Sequence, residues 1–216
     1  MSAAAPPVKP RLRGVSHQWA FFVSLACGGA LVANASPGRA LVAAAIYAGG
    51  VSALLGTSTL YHRVDWRPPT RRWMRRLDRS MIYVLIAASF TPFTLLAMRG
   101  ALGTVVLLIV WAGALGGVLL QLAWPDHPKW VAVAAALAIG AVAPVPLTQL
   151  PATIGWGAVA ALIASGVLYT GGAVVYGRER PNPVPGVFGY HEVFHALVLA
   201  AAAIQYAVIA FVVIPR

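Results

Sequence analysis

An all-α integral membrane protein, a bundle of seven transmembrane helices, is the fold class this sequence predicts. Three observations carry the prediction. Of 216 residues, 60% are hydrophobic and only 10% are charged, whereas a soluble domain usually carries about 25% charged residues. With a mean hydropathy of +0.78, the chain has more apolar side chains than one soluble core can hide. The apolar residues also fall in runs of spanning length, and thirteen of the sixteen Lys and Arg collect on one side of those runs.

A bilayer core needs about 20 mainly apolar residues per helix. The opening stretch, "MSAAAPPVKPRLRG", is short, basic and Pro/Ala-rich, and residues 1–16 read as a disordered cytoplasmic tail without a convincing signal-peptide cleavage site. A membrane domain over 17–216 follows. Its first span is 17–35, closed by "NASPGR". The second is 39–61, followed by "DWRPPTRRWMRR". The third, 79–98, and the fourth, 101–123, are divided only by Arg99 and Gly100. "PDHPK" leads into the fifth, 130–148, and "QLP" into the sixth, 152–175. "GRERPNPVPG" precedes the seventh, 190–214. Each break falls where Gly, Pro and charge predict one. Pro92, Pro144 and Pro146 lie inside spans and predict kinks, which neighbouring helices can tolerate in a membrane.

Orientation follows from the basic residues. With the N-terminus cytoplasmic, Lys9, Arg11, Arg13, Arg63, Arg67, Arg71, Arg72, Arg75, Arg76, Arg79, Lys129, Arg178 and Arg180 are inside; Arg39, Arg99 and Arg216 are outside. Positive-inside asymmetry of this strength predicts the N-terminus in and the C-terminus out. A miscount of one span would scramble it. The net charge of +11 is therefore topological and gives no reason to expect a nucleic-acid partner. Cys27, the single cysteine, excludes an internal disulfide and reads as packing. Trp19, Trp66, Trp73, Trp124, Trp130 and Trp156 fall near the interfaces, as an aromatic belt does, and Trp111 falls mid-span. Gly28, Gly29, Gly49, Gly50, Gly116 and Gly117 suit close helix contact.

On this topology all five histidines lie at cytoplasmic helix ends, as do Asp65, Asp78, Asp126, Glu179 and Glu192. Any chemistry is therefore expected on that side. In "GYHEVFH", His191 and His195 are four apart and share a helix face. The spacing suits two imidazoles on one zinc ion; it equally suits two histidines at the lipid boundary. A soluble-type zinc-protease site would need a third ligand, and residues 196–216 hold no His, Cys, Asp or Glu. Glu192 is on a different face from the histidine pair, so a general base there is not implied.

A third ligand must come from upstream. In "GTSTLYHRVDW", His62 ends the second span at the depth where His191 and His195 begin theirs, and Ser58 is one turn earlier on the same face. Asp78 opens the third span in "RRLDRSMIY", where its alternatives are a helix N-terminal acid favoured by the dipole or a carboxylate that holds a water or a ligand.

Together, "STLYH", "LDRSMIY", the following "SFTPF" and "HEVFH" resemble the haemolysin III family of bacterial membrane proteins, relatives of the progestin and adiponectin receptors in a wider grouping with alkaline ceramidases. The resemblance runs from about residue 15 to the end. It implies one Zn2+ held by His62, His191 and His195, with Ser58 and Asp78 as the family's polar positions beside the metal. Bacterial members often open the first span with an acid–Asn–Thr-His pattern; here "RGVSHQWAFF" keeps only Ser16 and His17. His17 is accordingly expected to be interfacial or supporting, and His127, between Pro125 and Pro128, a loop residue.

Zinc with three imidazole ligands leaves a position open for water, whose pKa it lowers to about 7. With Asp78 to take or orient the proton and Ser58 to hold the water or an oxyanion, the expectation is a zinc-dependent hydrolase of a lipid amide or ester in the bacterial plasma membrane. Its partners would be membrane lipids. Two other classes stand beside it. One is a membrane-homeostasis sensor with structural zinc. The other is a membrane-perturbing haemolysin, although the apolar outer halves of the spans offer no polar pore lining. The arginine cluster over residues 63–79 is read first as topological and second as a site for anionic headgroups.

Overall fold

A computed structural model describes residues 10–215. The basic-residue positions Lys9 and Arg216, and the tail before Pro10, lie outside the described residues. The chain is all helix: α1 Val15–Ala33, α2 Arg39–Arg63, α3 Pro68–Pro92, α4 Ala101–Ala123, α5 Lys129–Gly140, α6 Leu150–Arg178 and α7 Tyr190–Val208. π-helical turns Phe93–Ala97 and Ile209–Val213 extend α3 and α7. Among the described residues, six helices are long and apolar enough to cross a membrane. Chain neighbours pack side by side, α1 meets α7 to close the bundle, and α3 is the most enclosed helix.

The exception among the expected spans is the fifth. It is not one helix over 130–148: α5 stops at Gly140, turns follow, and a 3-10 turn covers Pro146–Thr148. Pro144 and Pro146 have no amide hydrogen to continue the ladder. Twelve residues rise only about 18 Å at 1.5 Å each, short of a hydrocarbon core of about 30 Å. The segment nevertheless connects opposite ends of the bundle. At its start Lys129 Nζ bonds Glu179 Oε1 at 2.7 Å and Tyr190 Oη at 3.0 Å. At its end Gln149 Oε1 accepts the Arg99 amide at 2.7 Å. The link between those ends is made by a short helix plus irregular backbone.

The arginine-rich break after α2 is also shorter than its polarity suggests. Only residues 64–67 are non-helical; α3 begins at Pro68, and Arg71, Arg72, Arg75 and Arg76 lie on its first turns. Two prolines at the helix start are pre-organised for that position, and arginine is a good helix former. Asp78 is therefore ten residues inside α3, not at its start. Further on, the π turn after Pro92 relieves the missing amide, and the hydroxyls of Thr91 and Thr94 bond the carbonyls of Ala87 and Phe90. Gly155, at φ 82°, bends the start of α6.

Of the six glycines suited to close contact, Gly28, Gly50 and Gly117 face a neighbouring helix, whereas Gly29, Gly49 and Gly116 face open space. Trp19, Trp73, Trp124, Trp130 and Trp156 are exposed on the outside. Trp111 packs within the bundle and donates to Thr91 Oγ1 at 3.2 Å.

Candidate metal centre

The ends of α1, α2, α6 and α7 meet at one end of the bundle, together with the middle of α3. What fixes α7 there is local. The Glu192 carboxylate accepts the Gly189 amide at 2.8 Å, three residues back across the helix start, and so closes the first turn. The loop ahead is tied by Asn182, whose Oδ1 accepts the Tyr190 amide at 2.9 Å. Lys129 holds Tyr190 and Glu179 together and lies over the rings of Tyr176 and Tyr190. These bonds set where His191 and His195 begin.

The structure brings together the three histidines that the sequence singles out. His62, His191 and His195 each offer a ring nitrogen, all within 4.8 Å of one another. His191 Nε2 is 3.1 Å from His62 Nε2. The ring centroids of His191 and His195 are 4.5 Å apart, and those of His62 and His195 5.3 Å. Tetrahedral zinc with bonds of about 2.0–2.1 Å sets its ligand nitrogens about 3.4 Å apart. The His62–His191 nitrogens lie close to that separation, His195 offers a ring nitrogen within 4.8 Å of both, and all three donors are imidazoles. The residues fit a metal ion.

Around the cluster, Asp78 Oδ2 lies 3.9 Å from His62 Nε2. Ser58 is buried one turn before His62, and its Oγ is 2.8 Å from His17 Nδ1. Tyr176, Tyr190 and Phe194 set their rings edge-on to His191.

Several residues here exceed the expectation from sequence. His17, expected to be interfacial or supporting, is 3% exposed and stacked on His195, with centroids 3.6 Å apart and planes 8° apart. A single histidine at a helix start has no spacing partner in the sequence to reveal this. Gly14 adopts φ +79° and packs so closely that a β-carbon there would lie 2.5 Å from His62 Cβ. The "RG" that precedes the first span was its only signal. Residues 10–14 are held against the loop before α7: Arg11 and Leu12 amides bond the carbonyls of Gly186 and Val187, and Arg13 Nε bonds Glu192 Oε1 at 2.5 Å. His127 is in a loop as expected, yet buried, bonded to Gln121 and Pro128 and apart from the cluster. Glu192 points to Arg13 and Gly189 and is not among the clustered donors.

The chain is similar to known proteins. Residues 7–206 match the family described as "Haemolysin-III related". The chain is 28% identical over 176 residues to "Hemolysin-3" of Bacillus cereus, which covers 82% of this chain and 77% of that protein. It is 28% identical over 164 residues to "Hemolysin-3 homolog" of Bacillus subtilis, covering 75% and 74%. "Monocyte to macrophage differentiation factor" of Homo sapiens is 28% identical over 169 residues, covering 76% and 68%.

Proposed function

Because the chain belongs to the haemolysin III-related family of multi-pass cell-membrane proteins, we propose that it is a zinc-dependent hydrolase of a lipid amide or ester, working at the cytoplasmic leaflet. The observation that carries the reading is the convergence of His62, His191 and His195 with a carboxylate and a hydroxyl at one end of the bundle. Zinc bound by these three residues supplies a Lewis acid that makes water nucleophilic near neutral pH. Asp78, beside His62, would take or orient a proton of a water held there. Ser58, fixed by His17, presents its hydroxyl to the water or to an oxyanion. The ring edges of Tyr176 and Phe194 give the surroundings the apolar character that a lipid chain requires.

The basic residues at the histidine end support a cytoplasmic location for the site. A cysteine introduced at Glu179 should react with an impermeant thiol reagent only in inside-out vesicles, and one at Gln149 only in right-side-out vesicles. The test of the activity is release of fatty acid from a panel of lipid amides and esters by purified, zinc-loaded protein. His191→Ala should release none; product at the wild-type rate from that variant ends the hydrolase reading.

One observation favours a second reading. The three donors join α2 to α7, which are distant in the chain, so the ion can serve as a clamp in a membrane-homeostasis protein. Zinc bound at one per chain, with no turnover across the panel, selects this alternative. Dye release from liposomes without any hydrolysis selects a membrane-perturbing role instead.

A further inference from the structure

We infer that His17 is a positioning residue for this centre: it sets the ring plane of His195 by stacking and the direction of the Ser58 hydroxyl by a hydrogen bond. The inference deepens the metal reading and rests on it only for its zinc measurement.

A metal-ligating histidine is ordinarily held by a hydrogen bond from its other ring nitrogen to a carboxylate, carbonyl or water. With its Nε2 turned to the ion, His195 departs from this pattern. Its Nδ1 is buried with no hydrogen-bond partner. What lies against the ring is the face of His17, parallel within 8° and at 3.6 Å between centroids. The same ring reaches Ser58 Oγ through Nδ1 at 2.8 Å. One imidazole thus touches a candidate ligand with its face and a candidate water-holding hydroxyl with its edge.

The position of His17 is itself constrained. It is in the first turn of α1, three residues after Gly14, which is packed against His62. The preceding Arg13 is bonded to Glu192 on α7. Residues of α1 therefore contact both helices that carry the candidate ligands, and the ring cannot retreat unless the start of α1 moves with it. A residue needed only to fill space would not require a polar edge aimed at Ser58, and a residue needed only to bond Ser58 would not require an aromatic face on His195.

Two variants separate the contacts. His17→Phe keeps an aromatic face and removes the bond to Ser58. His17→Asn keeps a short polar group and removes the stack; His17→Gln replaces it if the Asn protein does not fold. The first readout is the ring-proton resonances of His195 in metal-free protein, from histidine-labelled samples in detergent. They should be upfield in wild type and in the Phe variant, and should shift downfield in the Asn variant. The second readout is zinc affinity by chelator competition. The Phe variant should stay within about twofold of wild type, and the Asn variant should weaken by about tenfold or more, the usual effect of losing a group that orients a ligand. Unmoved His195 resonances in the Asn variant overturn the proposal. So does a Phe variant that loses as much as the Asn variant in both readouts. A wild type that holds no zinc but shows the resonance pattern sinks the metal reading and leaves the positioning role standing.

Discussion

His191 Nε2 on α7 lies 3.1 Å from His62 Nε2 on α2, 129 residues away in the chain. Two imidazole nitrogens aimed at each other can be satisfied by one shared proton or by one shared cation. A third imidazole, from His195, lies in reach of the same point, and a single proton cannot serve three. The geometry favours the cation.

Zinc added to the metal-free protein should therefore bind at about one ion per chain, and His62→Ala, His191→Ala and His195→Ala should each abolish the binding. A ligand present at a hundred times its Kd stabilises the native state by about 2.7 kcal/mol. Zinc should thus raise the thermal midpoint of wild type and leave those of the three variants in place. Elemental analysis and a melting curve check both expectations. Equal zinc in wild type and all variants would place the ion elsewhere.

The parts of this site that were legible in the sequence share a physical reason. The six long apolar helices follow from apolar run length, and the His191–His195 pair follows from helical periodicity. His62 was legible because the depth of its helix end can be counted. What was illegible is tertiary or irregular. Hydropathy reports polarity and not helicity, so the arginines at the start of α3 looked like a loop. It also cannot tell a helix from irregular backbone, so residues 141–148 looked like the end of a span. His17 has no partner at helical spacing, and its contacts with Ser58 and His195 exist only once α1, α2 and α7 are packed.

Glu192 is a structural carboxylate on this geometry, despite its place inside an H-E-x-x-H pattern. It is 3% exposed, accepts from Gly189 and is paired with Arg13. Glu192→Ala removes a helix-closing bond and strands a partly buried guanidinium, so it should cost about 1–3 kcal/mol of stability. Glu192→Gln keeps one acceptor and should retain both zinc and whatever turnover the wild type shows. Denaturant melts together with zinc content test this. A Gln variant that is stable, loaded and inactive would make Glu192 the base after all.

Gly14 and Gly100 both hold positive φ, +79° and +67°, but only at Gly14 would a β-carbon meet neighbours within 4 Å, His62 first at 2.5 Å and then Arg63. A side chain costs about 1 kcal/mol in the left-handed region of Gly14 and about 1–3 kcal/mol at Gly100, whose ψ of −158° lies where essentially only glycine goes. Alanine at Gly14 must in addition push His62 away. Gly14→Ala should therefore weaken zinc binding beyond what its loss of stability explains, whereas Gly100→Ala should lose stability alone. Equal zinc affinities in the two variants would mean that α1 does not bear on the cluster.

Asp78 decides between the two main readings of the site. Its Oδ2 is 3.9 Å from His62 Nε2, and its side chain is 17% exposed, so the carboxylate can serve a water or steady a ligand. The two roles predict different losses on Asp78→Asn, which keeps the shape and removes the charge. A group that handles the proton should lose turnover by about 10²–10⁴-fold, the usual contribution of general acid–base catalysis, with zinc affinity nearly unchanged. A group that only steadies His62 should lose zinc affinity by about 10–100-fold, with any turnover recovered at saturating zinc. Measuring fatty-acid release against zinc concentration for wild type and the Asn variant separates the two: a collapse that persists at saturation places Asp78 in the chemistry, and a curve merely shifted to higher zinc places it behind the metal and favours the clamp.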